Sequence, residues 1–353
     1  MTGGYGAAEG GAVLLERDPR AFLVVSGRAV GGMLTGILTN SLPAGLVRSG
    51  GIRTGFAPYA AILTPKGRLV TDLRVHRLGD GSGSMLLDLP ATGLDGALAH
   101  FGKYLPPRLA RAGPPGTALG TMTVAGSAAA RALTRTAGLA GRESELGEAA
   151  EGEAWITGGE PDGAIRVVRS GDVIPPAFDI VGPVARVREV ARMLREAGAA
   201  DGGAGLWHLL RLEKGRPAFG FELDTKTMPA EAGIEERCID FAKGCFTGQE
   251  VVVRIRDRGH VNRSLRGLLL GDAPLPPRGT RLFAPGRERP AGTVASTAVS
   301  PLFGQGIGLA FVRREVEPPA TVFLGAHGGP RARVRALSAG GWVTPEDGPG
   351  AAR

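Results

Sequence analysis

The sequence predicts an α+β chain that ends in a small all-β domain. Strand-like apolar runs alternate with amphipathic helical segments up to a boundary near residue 263. From Leu265 onward the pattern changes to short apolar or alternating segments, which are separated by Pro and Gly turns. Six such segments follow one another: LRGLLLG, TRLFA, AGTVASTAV, GIGLAFV, TVFLG and RARVRAL. This spacing is typical of a small β-barrel or sandwich.

The first part of the chain predicts a strand, a helix and a hairpin. Residues 1–20 are rich in Gly and Ala, and we expect them to be loose. The run AFLVVSG (21–27) predicts a buried strand, and GRAVGGMLTGILTNSL after it has apolar residues at helical spacing. Alternating segments at 67–78 and 85–90 flank the Gly-rich stretch 79–84, which predicts a hairpin.

The middle of the chain contains the clearest helix. Residues 93–104 predict a short helix that stops before Pro106, and the acidic stretch 141–154 is expected to be a loop. Residues 184–200 predict an amphipathic helix. Its apolar face is formed by Val184, Val187, Val190, Ala191 and Leu194.

The charge is basic, with 42 Lys and Arg against 34 Asp and Glu, for a net charge of +8 among 353 residues. Arginine dominates and is spread along the chain, which indicates a generally basic composition or a face for an anionic partner. No known RNA-binding signature is present, so direct nucleic-acid binding is not expected. No heptad pattern is present either, and we expect a monomer.

The chain has two cysteines, Cys238 and Cys245, far fewer than a disulfide scaffold would use. The N-terminal segment lacks a basic region followed by an apolar run, and no apolar run is long enough to span a membrane. We therefore expect a cytoplasmic protein with no membrane segment.

The most informative stretch is the octapeptide KGCFTGQE. It lacks the Lys-Ser/Thr pair of a phosphate-binding P-loop, and its thiols are too few for a zinc site, so no metal site is predicted. Gly244 and Gly248 allow a tight turn, and an ammonium group near a thiol favours the thiolate. The residues alone leave two alternatives open, a reactive Cys245 or an inert buried one. The run after Gly248 fits either a strand or a helix.

A second group of residues lies upstream of the octapeptide, where Trp207 and Glu213 are six residues apart before a glycine turn. A glutamate in a cleft can accept hydrogen bonds from an amino-pyrimidinone ring, and a tryptophan offers a stacking face. The alternative is that Trp207 fills the core and Glu213 caps a turn or pairs with Arg211.

Together these stretches resemble the folate-binding superfamily of the glycine-cleavage aminomethyltransferase, and its YgfZ-type branch in particular. That branch is marked by Lys-Gly-Cys-aromatic-x-Gly-Gln-Glu. The upstream pattern at 211–217, the strand, glycine and helix at 24–40 and the C-terminal segments are also similar, so the resemblance covers about residues 20–337. The octapeptide comprises Lys243, Gly244, Cys245, Phe246, Thr247, Gly248, Gln249 and Glu250.

The resemblance implies a cloverleaf of folate-binding α/β domains closed by a C-terminal barrel. We expect a flexible segment at 1–20, a folate-binding region of two intertwined subdomains at 21–263, a barrel at 264–337 and a flexible tail at 338–353. The implied cofactor is tetrahydrofolate or a derivative.

Site residues are implied by the same resemblance. Trp207 and Glu213 match folate-contacting positions, and Lys243 and Arg254 would attract the carboxylates of the folate tail. Asp72 matches one of two paired aspartates of the transferases, whereas its neighbour here is Thr71.

The cysteine-containing branch implies a role beyond folate binding. Its members are tied to iron–sulfur cluster assembly or repair, and so to tRNA-modifying client enzymes or assembly factors. Cys245 would be the working thiol. One exposed thiol cannot hold a four-cysteine cluster alone, so any cluster contact would be transient or shared. The alternative is a folate-dependent aminomethyl or one-carbon transferase in which Asp72 is catalytic.

Overall fold

The computed structural model describes residues 2–79, 83–159, 163–338 and 340–343. A short 3₁₀ turn covers Ala91–Gly93. The helices are α1 Thr2–Gly10, α2 Val30–Ile37, α3 Leu94–Tyr104, α4 Ala129–Thr136, α5 Glu143–Glu148, α6 Val184–Glu196, α7 Gly203–Lys214, α8 Pro229–Ala232, α9 Glu235–Cys238 and α10 Gln249–Arg258.

The strands of the first two-thirds of the chain are β1 Val13–Leu15, β2 Arg20–Ser26, β3 Val47–Ser49, β4 Ile52–Phe56, β5 Tyr59–Leu63, β6 Leu69–Arg77, β7 Met85–Pro90, β8 Arg111–Gly113, β9 Leu119–Ala125, β10 Glu153–Thr157, β11 Ile165–Ser170, β12 Ala177–Pro183 and β13 Ala200–Asp201. Those of the last third are β14 Arg263–Gly271, β15 Arg281–Phe283, β16 Gly292–Ser300, β17 Gln305–Arg313, β18 Ala320–Leu324, β19 Arg331–Arg335, β20 Leu337–Ser338 and β21 Gly341–Trp342.

The chain divides into two compact units. The first unit comprises residues 1–63, 70–208 and 238–247, and the second comprises 64–69, 209–237 and 248–353. The chain passes from the first unit to the second after Leu63, within α7 and at Gly248.

Two sheets form the first unit. One has eight strands in the order β13-β1-β9-β12-β11-β10-β4-β3, and the other has five in the order β5-β6-β7-β2-β8. Trp155 and Phe178 belong to the core that α4, α5 and α6 form with the eight-stranded sheet. Leu34, Leu73 and Phe101 belong to the core that α2 and α3 form with the five-stranded sheet.

Several elements of the first unit confirm the sequence predictions. Helix α6 falls within the predicted segment 184–200. It buries Val187, Val190, Ala191 and Leu194 as expected, whereas Val184, its first residue, is half-buried. Strands β6 and β7 form the predicted antiparallel hairpin, with His76 paired to Leu86. Residues 80–82 of its connection lie outside the described residues.

Two segments of the first unit differ from the predictions. The stretch 141–154, expected to be a loop, contains α5, because Leu146 is fully buried in the core and Glu143 and Glu145 lie in the first turn, where a helix dipole favours acids. The N-terminal stretch, expected to be loose, forms α1 and β1. Strand β1 pairs with both β9 and β13, a tertiary interaction that leaves no periodic signal in the sequence.

The second unit contains the predicted C-terminal barrel. Its six strands close in the order β14-β17-β16-β15-β18-β19. Leu268, Val294, Val312 and Val334 are among the buried residues that fill it. The α+β fold with a closed barrel is therefore confirmed, and the six predicted segments supply its six strands.

Past the barrel, β20 and β21 pair where a flexible tail was expected, and the Trp342 indole donates a hydrogen bond to the Leu212 carbonyl at 2.9 Å. Residues 344–353 of that tail lie outside the described residues. In the described part of the chain, no helix combines the length and apolar character needed to cross a membrane.

Candidate functional site

The octapeptide forms a turn that leads into a helix. Cys245 is exposed on this turn, and Phe246 next to it is buried. Gly248 has φ +86° and stands at the N-cap of α10, a left-handed conformation that favours glycine. The helix begins at Gln249, which confirms the helical alternative for the valine run despite its β-branched residues.

Lys243 lies in a pocket of backbone carbonyl groups. Its ammonium group donates hydrogen bonds to the carbonyl oxygens of Thr35 (2.8 Å), Leu38 (2.5 Å) and Asn40 (3.2 Å). Burial lowers the pKa of Lys243 to about 8, and the charge of Asp240 opposes that shift. These contacts use all three ammonium protons. The expected contact with folate carboxylates stays a prediction, and the structure gives Lys243 this other role.

Further hydrogen bonds hold the segment around the thiol. The Thr247 amide donates to the Gly36 carbonyl at 3.0 Å, and the Asp240 amide donates to the Thr39 carbonyl at 3.1 Å. The Thr39 hydroxyl donates to the carbonyl of Cys238, whose side chain is buried. The segment 238–247 is therefore fixed along the end of α2 on both sides of the exposed Cys245.

Asp72 is a buried acid in the middle of β6. The Tyr59 hydroxyl donates a hydrogen bond to its Oδ2 at 2.7 Å, whereas Oδ1 is buried and has no hydrogen-bond partner among the described residues. Burial raises the pKa of Asp72, while Arg20 and the Tyr59 hydrogen bond oppose the rise and the charge of Asp172 adds to it. An acid with these properties is a candidate general base or acid.

Thr71 stands next to Asp72, at the position where the resemblance to the transferases implies a second aspartate. Its hydroxyl donates to the Asp72 carbonyl at 3.0 Å, and Gly93 packs against its side chain so closely that a Cβ on Gly93 would lie 2.2 Å from the hydroxyl oxygen. Successive side chains of a strand point to opposite faces. The position of the missing acid therefore faces away from Asp72 and its surroundings.

Trp207 belongs to a buried charged cluster in the first unit. The Arg17 guanidinium lies 5.4 Å from the centre of the Trp207 ring, and Trp207 is 4% exposed. Arg17 also contacts Asp172 at 2.9 Å and Asp179 at 2.8 Å. The charge of Asp172 also raises the pKa of Asp72. Asp172 therefore links the charged groups around Trp207 and those around Asp72 into one network.

Several members of this network were missed by sequence reasoning. Arg20 donates to Asp88 at 2.7 Å, and both are in strands. Asp179 lies in the apolar strand FDIVG, and Tyr59 lies at the start of β5. Charged residues inside otherwise apolar strands are the signal that could have found Arg20, Asp88 and Asp179, since such charges are buried only when paired. Tyr59 carried no such signal.

Glu213 and Arg254 lie in the second unit. Glu213 is 3% exposed, and its Oε1 accepts hydrogen bonds from the Ser300 hydroxyl at 2.5 Å and from the Leu302 amide at 3.4 Å. Arg211 pairs with Glu222 at 2.9 Å, a buried ion pair. Arg254 is exposed on α10. The predicted contacts of Glu213 and Arg254 with folate stay predictions.

The second unit also has a cavity of about 400 Å³ against the barrel. Arg263, Arg278 and Arg313 line it together with Phe221 and Phe311. The Arg278 guanidinium is bound to the carbonyl groups of residues 220 and 221. The described residues contain no group of three or more His, Cys, Asp or Glu that could hold a metal ion.

Together the fold and site define a class: an α+β protein with a buried acid and a closed six-stranded C-terminal barrel. Residues 21–243 match the family model described as the GCVT N-terminal domain, and residues 263–339 match the glycine cleavage T-protein C-terminal barrel domain. The chain belongs to the glycine cleavage T-protein family.

Curated relatives agree with this assignment. An aminomethyltransferase of Rubrobacter xylanophilus is 34% identical over 263 residues, which cover 74% of this chain and 68% of the relative. An aminomethyltransferase of Ralstonia nicotianae is 28% identical over 310 residues, covering 84% of this chain and 78% of the relative. The crystal structure of the glycine cleavage system aminomethyltransferase T from Bartonella henselae has a TM-score of 0.76 over 96% of this chain and 90% of that one, at 20% identity. At that identity the likeness shows the fold.

Proposed function

We propose that this chain binds tetrahydrofolate and catalyses a one-carbon transfer of the aminomethyl type, with Asp72 as the catalytic residue. The observation that carries the proposal is the state of Asp72, a buried carboxyl group with a raised pKa and one oxygen without a partner among the described residues. The aminomethyltransferases among its relatives support the reaction type.

The residues of the first unit fit such a ligand. The buried Oδ1 of Asp72 can accept a hydrogen bond from an N–H group, which reduced folate rings carry. In this proposal the folate ring stacks on Trp207, and the Arg17 guanidinium lies 5.4 Å from the centre of the Trp207 ring. Tetrahydrofolate, when bound, would supply the nitrogen that receives the one-carbon unit.

Within this proposal, Asp72 accepts a proton at Oδ1 while Tyr59 holds Oδ2. Burial makes the carboxylate a stronger base than an exposed one, because the raised pKa brings it closer to neutral pH. The replacement of the second acid by Thr71 does not remove a group from this environment, since the side chain of residue 71 lies on the other face of β6.

A binding titration tests the folate site. Tetrahydrofolate is titrated by calorimetry into the wild type, Asp72→Asn, Trp207→Ala and Asp95→Asn. Asp95 is an exposed acid of α3 in the same unit and serves as the matched control. We expect Trp207→Ala to weaken binding by about tenfold or more and Asp95→Asn to leave it unchanged. Wild-type protein that is folded but does not bind would contradict the proposal.

A second candidate function is favoured by one specific observation, the exposed Cys245 on a turn that is fixed on both sides. In this function the chain is a YgfZ-type, folate-binding accessory protein that supports the assembly or repair of iron–sulfur clusters in client enzymes, including those that modify tRNA. Its thiolate would make a transient contact with a cluster or with a partner's thiol. Two cysteines cannot supply the four thiolates of a common cluster.

Complementation separates the two functions. A strain that lacks its own equivalent protein receives the wild type, Cys245→Ser or Asp72→Asn, and iron–sulfur enzyme activity and tRNA thiomethylation are measured. The accessory function predicts that the wild type restores both activities and that Cys245→Ser fails. Full restoration by Cys245→Ser would show that Cys245 is not the working residue, and no restoration by the wild type would remove the accessory function.

A further inference from the structure

The C-terminal end of helix α2 contacts the turn that carries Cys245. The carbonyl groups of the last turn of a helix have no partner within the helix, and a nearby cation is favoured by the helix dipole. Here the carbonyl of Thr35 accepts from the Lys243 ammonium group, and the carbonyl of Gly36 accepts from the Thr247 amide. Two carbonyl groups at the end of α2 are therefore satisfied by residues on either side of the thiol.

The Lys243 contact joins three positions of the chain at one nitrogen atom. Besides Thr35, the ammonium group binds the carbonyl groups of Leu38 and Asn40, which follow the helix. An ammonium group can donate to three acceptors that surround one nitrogen atom. The guanidinium of arginine is planar, and its donors point in fixed directions from several nitrogen atoms. The Lys243 ammonium group also lies 5.4 Å from the ring of the buried Phe246, on the other side of Cys245.

We propose that Lys243 is a positioning residue, which fixes the turn that carries Cys245 to the end of α2 and so holds the thiol in one place. This inference rests on the second candidate function, in which Cys245 is the working thiol. It assigns Lys243 to the presentation of the thiol and not to the binding of a folate carboxylate.

The test compares Lys243→Met, Lys243→Arg and the control Lys226→Met, which changes an exposed lysine of the second unit. Three quantities are measured on the full chain: amide hydrogen exchange of peptides that cover 238–247, the rate of Cys245 alkylation by iodoacetamide, and tetrahydrofolate affinity by calorimetry. The buried Cys238 is the internal control for alkylation.

For Lys243→Met we expect exchange in 238–247 to accelerate by about tenfold or more, because the turn loses its hydrogen bonds to the carbonyl groups at the end of α2. Cys245 is already exposed, so its alkylation should stay close to the wild-type rate. Lys243→Arg presents a planar fork to three acceptors that suit an ammonium group, so we expect faster exchange there as well. Tetrahydrofolate affinity should not change in either variant.

Unchanged exchange in 238–247 would overturn the inference, and so would a loss of folate affinity while the turn stays protected, which would give Lys243 the folate role instead. If Lys243→Met does not fold, Lys243→Arg is judged by its exchange and affinity. If these results hold but Cys245→Ser complements fully, Cys245 is not the working residue of the accessory function, while the positioning role of Lys243 stands.

Discussion

The Tyr59 hydroxyl donates a hydrogen bond of 2.7 Å to Oδ2 of Asp72, and the second oxygen of the same carboxyl group has no partner among the described residues. One oxygen is thus held in place by the protein, and in the proposed function the other accepts a hydrogen bond from the ligand. We expect the Tyr59 hydrogen bond to affect the stability of the chain, and the second oxygen of Asp72 to affect its activity.

Tyr59→Phe removes the hydrogen bond but keeps the ring. A hydrogen bond to a buried charged group contributes about 1.5–3 kcal/mol, so the variant should melt at a lower temperature at about pH 8. The loss should shrink as the pH falls towards about 4, because the raised pKa of Asp72 makes its carboxyl group take up a proton as the pH falls. Calorimetric melting at both pH values measures it, and an equal loss at both would contradict a carboxylate acceptor.

Asp72→Asn should stabilise the protein by about 1 kcal/mol at neutral pH, because it removes a buried charge. The raised pKa fixes the pH dependence: in the wild type this group's contribution to stability is greatest below the unfolded pKa and is lost as pH rises through the folded pKa. The melting temperature of Asp72→Asn minus that of the wild type should therefore grow from about pH 4 to about pH 8. A difference that shrinks over this range would show that the carboxylate is stabilised in the folded state.

The buried pair of Arg211 and Glu222 supports the second unit. Arg211→Met leaves the Glu222 carboxylate buried without its cation, which costs about 3–5 kcal/mol. We expect a marked decrease in melting temperature, which calorimetry measures. The double variant Arg211→Met/Glu222→Gln should recover most of it. A single variant as stable as the wild type would show that the pair contributes little.

Gly248→Ala tests the junction between the octapeptide and α10. The left-handed φ of +86° is strained for alanine, and the cost is about 1 kcal/mol. Amide exchange should accelerate at the start of α10, with Gly244→Ala, at an exposed position with open space, as the milder control. Equal effects of the two changes would contradict the special role of Gly248.

The elements that sequence predicted well are those with local signals. The barrel strands have short alternating patterns bounded by Pro and Gly, and α6 has a clear apolar face. The residues of α10 alone left a strand and a helix open, because Val251, Val252 and Val253 favour strands by themselves. Helix α5 was missed, since a single leucine, Leu146, anchors it to the core.

Sequence patterns identified two residues of the candidate site, Cys245 and Asp72. Cys245 is exposed and Asp72 is buried with an unusual environment. The role of Lys243 in the fold could not be predicted, because backbone carbonyl groups have no sequence signature. Tyr59 was missed for a similar reason, since its partner lies on a neighbouring strand and the contact depends on the register of the sheet.

The central claim is catalysis by Asp72, and one measurement tests it most directly. The rate of one-carbon transfer from an aminomethyl donor to tetrahydrofolate is measured for the wild type, Asp72→Asn and Cys245→Ser. We predict turnover by the wild type, a loss of about hundredfold or more in Asp72→Asn and an unchanged rate in Cys245→Ser. A wild type that binds tetrahydrofolate but shows no turnover, or an Asp72→Asn variant as active as the wild type, would contradict the claim.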